Sequence, residues 1–382
     1  MEKEKVVIIG AGDFQNPLIL KAKERGYETH VFAWKNDEIG EKTADYFYDI
    51  SIKEKEEILR ICQDIKPVAV TSIASDLAVI TVNYLTDKLN LPGNNPKYSD
   101  ICTNKYEMRK AFKRSGIKVP NFALVDLNTE MKDLDNFEFP LIVKPTDRSG
   151  SRGVTRIENS SELKSAIKNA IEFSFEKKAI VEEFIDGDEY SCECISYQGR
   201  HHFLTITKKY TTGFPHFIET AHLEPSGLKK EEIELVKKEI FKALDALHVE
   251  NGPSHSEFKI NEKGEVNIIE IGARMGGDCI GSDLVPLSTG YDFVGLTLDV
   301  ALGKKIKIEK TISNKKYAFI KFVFTKDDLN ILNLIKKEKP DLIYFESIGN
   351  DFEHDIIDSS TRYGFYILSC NSKKDLEKYN LI

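Results

Sequence analysis

The chain has 382 residues, 41% hydrophobic and 30% charged, with a formal net charge of −8. That length accommodates two or three globular domains with real cores, and nothing in the composition reads as disordered or low in complexity. The acidic balance argues against a nucleic-acid surface while leaving room for local basic stretches that hold phosphate groups, and no run of about 18 apolar residues is present to span a membrane.

The opening MEKEKVVIIG runs straight into a strand without a secretory h-region. Six cysteines, at 62, 102, 192, 194, 279 and 370, are scattered without metal-type CxxC pairs, and Cys192 and Cys194 would share one face of a strand as buried reduced thiols. A cytoplasmic protein is expected. The first hundred residues alternate strand and helix: strands at Lys5 to Ile9, Thr29 to Ala33 and Val68 to Thr71, helices at Phe14 to Arg25, Lys53 to Ile65 and Leu77 to Leu89. This is the pattern of a parallel, Rossmann-type sheet. The turn Gly10-Ala11-Gly12 is a weak dinucleotide signal, because the third glycine of the fingerprint would fall on Gln15 and the second strand ends at Ala33-Trp34 rather than on an acid. Asp76 follows the Val68 to Thr71 strand, where open sheets place ligands; a helix cap is the other reading.

Leu91-Pro92-Gly93 closes this unit, and Asn104-Lys105 opens a helix that runs to Ser115. The strand Phe139 to Pro145 carries Lys144 near its end and leads into the loop Thr146 to Val154, with Arg148, Ser149, Gly150, Ser151, Arg152 and Gly153. Small residues and two glycines let backbone N–H groups turn inward around phosphate oxygens, although a mobile surface hairpin has the same composition. No GK[ST] precedes a helix, so this is not a P-loop. Ala179 to Ser191 reads as strand, turn, strand, with Glu182, Glu183 and Glu189 at the ends of a segment that includes Phe184 and Ile185. Such acids suit an adenine edge and a ribose diol, or simply a solvated hairpin end.

Asn251 to Asp278 reads as two strands joined by a turn at Asn261 to Gly264. Counting back from a tight turn places Glu257 and Glu270 opposite one another, near enough for a divalent ion to bridge them. Like charges in that position destabilise a sheet unless something neutralises them. Glu270 lies in the apolar run Val266, Ile268, Ile269, Ile271, which fits a solvated face poorly. The tail from Lys316 alternates strand and helix: Tyr317 to Phe324, a helix from Asp327, Leu342 to Glu346, Tyr363 to Ser369 and a last helix. It shows no catalytic cluster; Arg362, Ser359 and Ser360 read as ordering the entry to the final strand, and Lys304 to Lys310 as a solvated linker.

Taken together and in this order, these features resemble the ATP-grasp superfamily of carboxylate–amine ligases. The resemblance rests on Lys105, Lys144, the glycine-rich loop, the Glu182 to Glu189 segment and Glu257/Glu270/Arg274 in joint spacing. It implies an α/β protein, α+β in its nucleotide-binding part. A Rossmann-like domain would cover residues 1–100, an ATP-grasp region 101–303 with a mobile lid at about 118–185, and a small C-terminal α/β closing domain 304–382. It implies that Lys105 and Lys144 hold ATP phosphates under the Ser149 to Gly153 loop. Glu182, Glu183, Phe184 and Ile185 would face adenine and Glu189 the ribose. Glu257 and Glu270 would bind Mg2+, or Mn2+ in its place, and Arg274 would stabilise the transferred phosphoryl group. One departure is Gly272, where many members of the superfamily have Asn.

Within the superfamily, GPSHSE followed by EIGARMGG is most similar to the ATP-dependent amino-acid ligases that make dipeptides. The segment Phe217 to Pro225 is similar to the strand that supplies an acid and a histidine to their amino-acid pocket, which makes Glu219 and His222 substrate-site candidates. An exposed strand-end Glu and a hydrogen-bonded core His are the ordinary alternatives. Gly276 and Gly277 would let a substrate carboxylate approach backbone N–H groups, and Asp278 would face the pocket and favour a polar or cationic substrate, or cap a helix. The implied partners are a small-molecule carboxylate and an amine, with no nucleic acid or membrane, and a homodimer as the expected assembly. Purine-biosynthesis or biotin-carboxylase-like chemistry and a non-catalytic nucleotide-binding protein stay open as alternatives.

Overall fold

The structure is a computed structural model that describes residues 3–214, 216–308 and 317–382. Lys316, where the tail was expected to begin, and the last two residues of the 304–310 basic stretch lie outside the described residues.

Three sheets carry the chain. The first joins β1 (Lys5–Ile9), β2 (Glu28–Ala33), β3 (Tyr46–Asp49) and β4 (Ala69–Thr71) in the order β3-β2-β1-β4, all parallel. Helices α1 (Asn16–Glu24), α2 (Ile39–Thr43) and α3 (Lys55–Ile65) connect them, and α4 (Asp76–Leu89) follows β4. A central parallel strand is covered on both sides, which is why β1 is a continuous run of Val and Ile. Val7 and Ile9 pack on Ile58 and Cys62 of α3 and Ala78 of α4, while Val6 and Ile8 pack on Leu18 and Ile19 of α1. The predicted strands and helices of this unit are present with ends shifted by a residue or two. The sequence reading assigns nothing to residues 35–52, where the structure has α2 and β3: a four-residue edge strand, its end residues exposed, carries too short an alternation to register. The Gly10–Gly12 turn is filled by its own neighbour. Gln15 accepts a hydrogen bond from Gly12 N at 3.1 Å, donates to Ile73 O at 3.0 Å, and leaves no room over Gly10 for a Cβ.

After α5 (Ser99–Thr103) comes α6 (Lys105–Arg114), begun by Asn104, whose side chain accepts from the N–H groups of Tyr106 and Glu107. The second sheet, β5 (Phe122–Val125), β6 (Leu141–Pro145), β7 (Thr155–Ile157) and β8 (Ala179–Glu183), is antiparallel in the order β5-β8-β6-β7. Helix α7 (Ser160–Phe173) buries Leu163, Ala166, Ile167 and Ala170 on Leu141, Val143 and Val181. Strand alternation then turns Ile142, Lys144 and Glu182 to the opposite face.

The third sheet has eight antiparallel strands. They are β9 (Asp188–Tyr197), β10 (Arg200–Thr211), β11 (Glu219–Glu224), β12 (Gly252–Ile260), β13 (Val266–Gly272), β14 (Tyr317–Phe322), β15 (Ile343–Ile348) and β16 (Gly364–Cys370), in the order β13-β12-β9-β10-β11-β14-β16-β15. One face of its first strands buries Cys192, Cys194, Phe258, Ile268 and Ile271 against α6 and α8 (Lys230–Ala246). All six cysteines are buried and free, as expected. By the period of two, Glu189, Glu193, His255, Glu257 and Lys259 take the other face, and the β-bulge between Ile268 and Glu270 turns Glu270 to join them. Helices α9 (Val285–Thr289) and α10 (Phe293–Ala301) follow, and Phe293 and Val300 of α10 pack under the first sheet. The tail contributes β14 to β16 to the same eight-stranded sheet, flanked by α11 (Lys326–Glu338) and α12 (Lys373–Lys378). Among the described residues no helix is long and apolar enough to cross a membrane.

Phe258 fixes the β12/β13 hairpin from beneath: it is fully buried and lies 5.7 Å, ring to ring, from Tyr190. Phe258→Ala should cost about 3–5 kcal/mol in urea unfolding, against less than about 1 kcal/mol for an exposed control such as Phe214→Ala.

Candidate active site

The second and third sheets face one another across a cleft. Its walls hold the acids of β12 and β13 on one side and Lys144 and Glu182 on the other. The register is the expected one: Glu257 pairs with Glu270, with a bulge just after Glu257. Each acid meets a cation from another element. Lys105 Nζ, at the start of α6, lies 2.8 Å from Glu270 Oε1, and Lys209 Nζ of β10 lies 2.5 Å from Glu257 Oε1. Lys209 also stands 3.5 Å from Glu219 and 3.6 Å from Glu189. Burial opposes charge on Glu257, yet Lys209 and His255 outweigh it and hold this carboxyl well below its usual range. The same three acids raise Lys209 against the opposing effect of burial. Glu189 goes the other way: burial raises it despite Lys209.

His255 connects the acids to the loop after β13. Its Nδ1 lies 2.5 Å from Glu193 Oε1 and its Nε2 3.3 Å from Glu257 Oε1, and the second Glu193 oxygen accepts from Gly276 N at 3.2 Å. Burial works against the imidazolium, but Glu193 overrides it and raises His255 to about 9. Both ring nitrogens therefore donate, and Glu193 clamps the Gly276 backbone to β12.

On the facing sheet, Glu182 is buried between Arg109 of α6, which bonds it through Nε, and Lys144 Nζ at 2.7 Å. Burial opposes ionisation there too, and the two cations still bring Glu182 down to about 2. Glu183 and Phe184 give their N–H groups to the carbonyls of Asn121 and Pro140, and the Ile185 carbonyl accepts from Lys259 at 3.2 Å. Phe184 and Phe217, 5.6 Å apart, form an aromatic wall beside them. The loop after β6 turns through three left-handed residues, Gly150, Ser151 and Gly153. Its Arg148 carbonyl accepts from Lys105 at 2.6 Å, and the Arg148 guanidinium stacks 4.4 Å from the centre of Phe175.

The cleft brings together Lys105, Lys144, Ser149, Gly150, Ser151, the run Glu182 to Ile185, Glu189, Glu219, Glu257, Glu270 and Arg274. Gly153 lies off its wall, folded over Phe173, whose Cδ2 would be 2.9 Å from a Cβ there. Asp76 borders a neighbouring cleft and grips Arg274 with two hydrogen bonds of 2.9 Å; the cap of α4 is Ser75. His222, Gly276, Gly277 and Asp278 stand behind the wall. His222 is buried, 3.8 Å from Asp278 and edge-on to Phe322, and burial lowers it despite Asp278. Asp278 caps no helix: it has φ 51° and gives its carboxylate to Arg362 at 2.7 and 3.0 Å. Burial again opposes ionisation of Asp278, while Arg362 holds it well below the carboxylate range.

Several working residues were missed by the sequence reading. Arg109 lies one helical turn beyond Lys105, so the i, i+4 spacing would have placed both on one face. Lys209 shares its parity with Thr205 and Thr207 on β10, a polar stripe indistinguishable in sequence from a solvated one. The tail was taken to carry no catalytic cluster, yet Ser359 Oγ donates to Glu219 at 2.6 Å and Arg362 pins Asp278; contacts across 140 and 84 positions leave no local signal.

Stability should therefore depend on pH through His255. With its pKa raised on folding, its contribution is complete below about 6.5 and is lost as pH rises through about 9. Urea unfolding of the native chain should show a fall of roughly 3 kcal/mol over that window, and the isosteric Glu193→Gln should remove most of the slope.

A profile for the ATP-grasp domain matches residues 137–283. The chain is 27% identical over 289 residues to an alanine–anticapsin ligase of Bacillus subtilis, covering 69% of this chain and 60% of that protein. It is 29% identical over 197 residues to a D-alanine–D-alanine ligase B of Chromobacterium violaceum, covering 50% and 62%. The chain thus spans less than two thirds of the length of these curated relatives. A crystal structure of an L-amino acid ligase from Bacillus licheniformis superposes with a TM-score of 0.82 at 24% identity, covering 99% of this chain and 96% of that one. Residues 137–283 are an ATP-grasp domain, and the chain has the ATP-grasp fold along nearly its whole length.

Proposed function

We propose that the chain is an ADP-forming, ATP-dependent ligase that activates the carboxylate of an amino acid and joins it to an amine, most simply a second amino acid. The observation that carries this reading is the convergence on one cleft of Lys105, Lys144, the Arg148 to Ser151 loop and the opposed pair Glu257 and Glu270. The similarity to amino-acid ligases supports the choice of acid and amine.

In this reading residues 1–100 form a Rossmann-like domain, the sheet of β5 to β8 with α7 is the lid within 118–185, and residues 304–382 close the far side. Adenine lies against Phe184 and Phe217, and contact at the edge of β8 falls to carbonyl groups and Ile185, since Glu183 and Phe184 have already spent their N–H groups. Glu189 binds the ribose diol, and its raised pKa reflects a buried position with room for donors. Lys144 and Lys105 reach the phosphates. Their carboxylate partners keep them in place, so little rearrangement is needed when a phosphate arrives.

The acids fit a divalent ion that is completed by phosphate oxygens. Among the described residues no group of three or more His, Cys, Asp or Glu side chains forms a self-sufficient metal cage. Two facing carboxylates are the donor set that Mg2+ takes when bound together with a nucleotide, and Mn2+ would accept the same oxygens. When bound, the ion would neutralise charge on the β and γ phosphates. The substrate carboxylate attacks the γ-phosphorus, giving an acyl phosphate and ADP, and the amine then displaces phosphate. Arg274, a permanently charged planar fork, stabilises the shifting phosphoryl charge; Gly276 has given its N–H to Glu193, which leaves Gly277 as the backbone that could admit a substrate carboxylate. Glu219 is placed for an ammonium group. His222, buried and kept neutral by desolvation, acts through Asp278 behind the pocket. The loop at 148–153 excludes the water that would hydrolyse the acyl phosphate. A homodimer remains the proposed assembly.

The test is release of ADP and phosphate from ATP with Mg2+ across pairs of amino acids and simple amines. Release should require a particular pair and fall at least about a hundredfold in Lys144→Ala and Glu270→Ala. Nucleotide binding without release for any pair would move the assignment to other acids or amines; no nucleotide binding at all would overturn it.

A further inference from the structure

Gly272 ends β13, opposite His255 in the register. Its φ is not in the left-handed region, so backbone conformation does not demand glycine here; space does. A Cβ at 272 would stand 2.8 Å from Asp76 Oδ1 and 3.0 Å from Arg274 Nε, closer than side-chain atoms pack. The gap beside Gly272 is thus occupied by a carboxylate that comes from the other end of the chain. Asp76 is the first residue of α4, behind Ala74 at φ 56° and Ser75, whose Oγ accepts from Ala78 N and caps the helix. That cap leaves the Asp76 carboxylate free to turn away from its own helix. It meets Arg274 side-on, Oδ1 with Nε and Oδ2 with Nη2, both at 2.9 Å. Both side chains are mostly shielded, 19% and 15% exposed, and the remaining Arg274 donor Nη1 bonds Met275 O at 3.2 Å. A bidentate fork of this kind fixes the guanidinium plane as well as its position.

We propose that Asp76 is the positioning residue for Arg274, reaching it through the gap that Gly272 keeps open, so that the helix following the first sheet supplies part of the phosphoryl-transfer site. Gly272 and Asp76 are then one device read from two places in the sequence: either a side chain at 272 or loss of the carboxylate at 76 releases Arg274. The catalytic consequence rests on the ligase reading above, whereas the steric pairing does not.

The pairing is tested on the full chain by melting the native protein, Gly272→Ala, Asp76→Ala and the double variant. Gly272→Ala should lower the melting temperature by about 2–4 °C in the native background and leave it unchanged in the Asp76→Ala background, because the oxygen nearest the new methyl is gone and Arg274, no longer held, moves aside. An equal drop in both backgrounds overturns the proposal. Should Asp76→Ala not fold, Asp76→Ser also withdraws the carboxylate and takes its place. The positioning role is tested with Asp76→Asn, which keeps the shape and removes the charge: kcat for ADP release should fall tenfold or more with KM for ATP within twofold. Unchanged kcat in a chain that turns over normally overturns the positioning role. If the native chain releases no ADP with any amino-acid pair, the choice of amino-acid substrates fails, and the melting cycle still decides whether Asp76 fills the gap at Gly272.

Discussion

The constraint on which this molecule depends is the opposition of two carboxylates across one strand pair. Glu257 and Glu270 face each other on β12 and β13, on a sheet face that a second sheet covers. Two negative charges in a shielded position repel more strongly than they would in water and must be compensated locally. Lys105 comes from helix α6, Lys209 from two strands away and His255 from beside Glu257 itself. Each of these cations is in turn held by something else: Lys105 by the Arg148 carbonyl, Lys209 by Glu219 and Glu189, His255 by Glu193. The requirement to balance one pair of acids therefore reaches into the loop over the cleft, the helix beneath it and the backbone at Gly276.

The same logic repeats around the site. Glu182 sits between Arg109 and Lys144, Asp76 grips Arg274, and Asp278 grips Arg362. Shielded ion pairs of this kind add little to stability compared with apolar packing of equal volume, but breaking one by removing a single partner is expensive. What they supply is fixed geometry: under the proposed ligase reading, cationic groups already oriented where phosphate charge would develop need not reorganise when it does. The partners are drawn from widely separated places, Asp76 from the start of α4 and Arg362 from the tail, so closing the fold and building the site are one event.

Much of this was legible in the sequence, and the boundary of what was legible has a physical cause. Periodicity and turn chemistry locate β1, α3, α6 and the β12/β13 hairpin; the length of its turn brings Glu257 and Glu270 roughly opposite without coordinates, and a one-residue bulge, which the sequence does not show, completes their pairing. Local order also shows Lys144 ahead of its glycine-rich loop. The partners of these residues were not legible. Lys209, Glu193 and Arg362 are ordinary charged residues on strands or at strand entries, and what singles them out is the neighbour they meet across a sheet. Such pairings are set by tertiary contacts and carry no local pattern. The short strand β3 escaped for a different reason, being an edge strand with too few residues for an alternation to stand out.

Asp278 shows how the two levels of reading interact. Taken from the sequence, an acid just beyond two glycines in a substrate loop suggests a pocket that favours positive charge. In the folded chain that charge is already answered: Arg362 holds both oxygens, stacks its guanidinium 3.6 Å from the centre of Phe322, and passes its Nε to the Ser359 carbonyl. A carboxylate so engaged presents a dipole to its surroundings rather than a net negative charge, and its field falls off faster with distance. His222 on one side and Glu219 on the other are fixed by the same cluster, through Asp278 and Ser359. Polarity at this end of the site is therefore a property of the Asp278–Arg362 pair and not of Asp278 alone. Any account of what side chain the site accepts has to begin from a neutral, hydrogen-bonding surface contributed jointly by the loop after β13 and the tail.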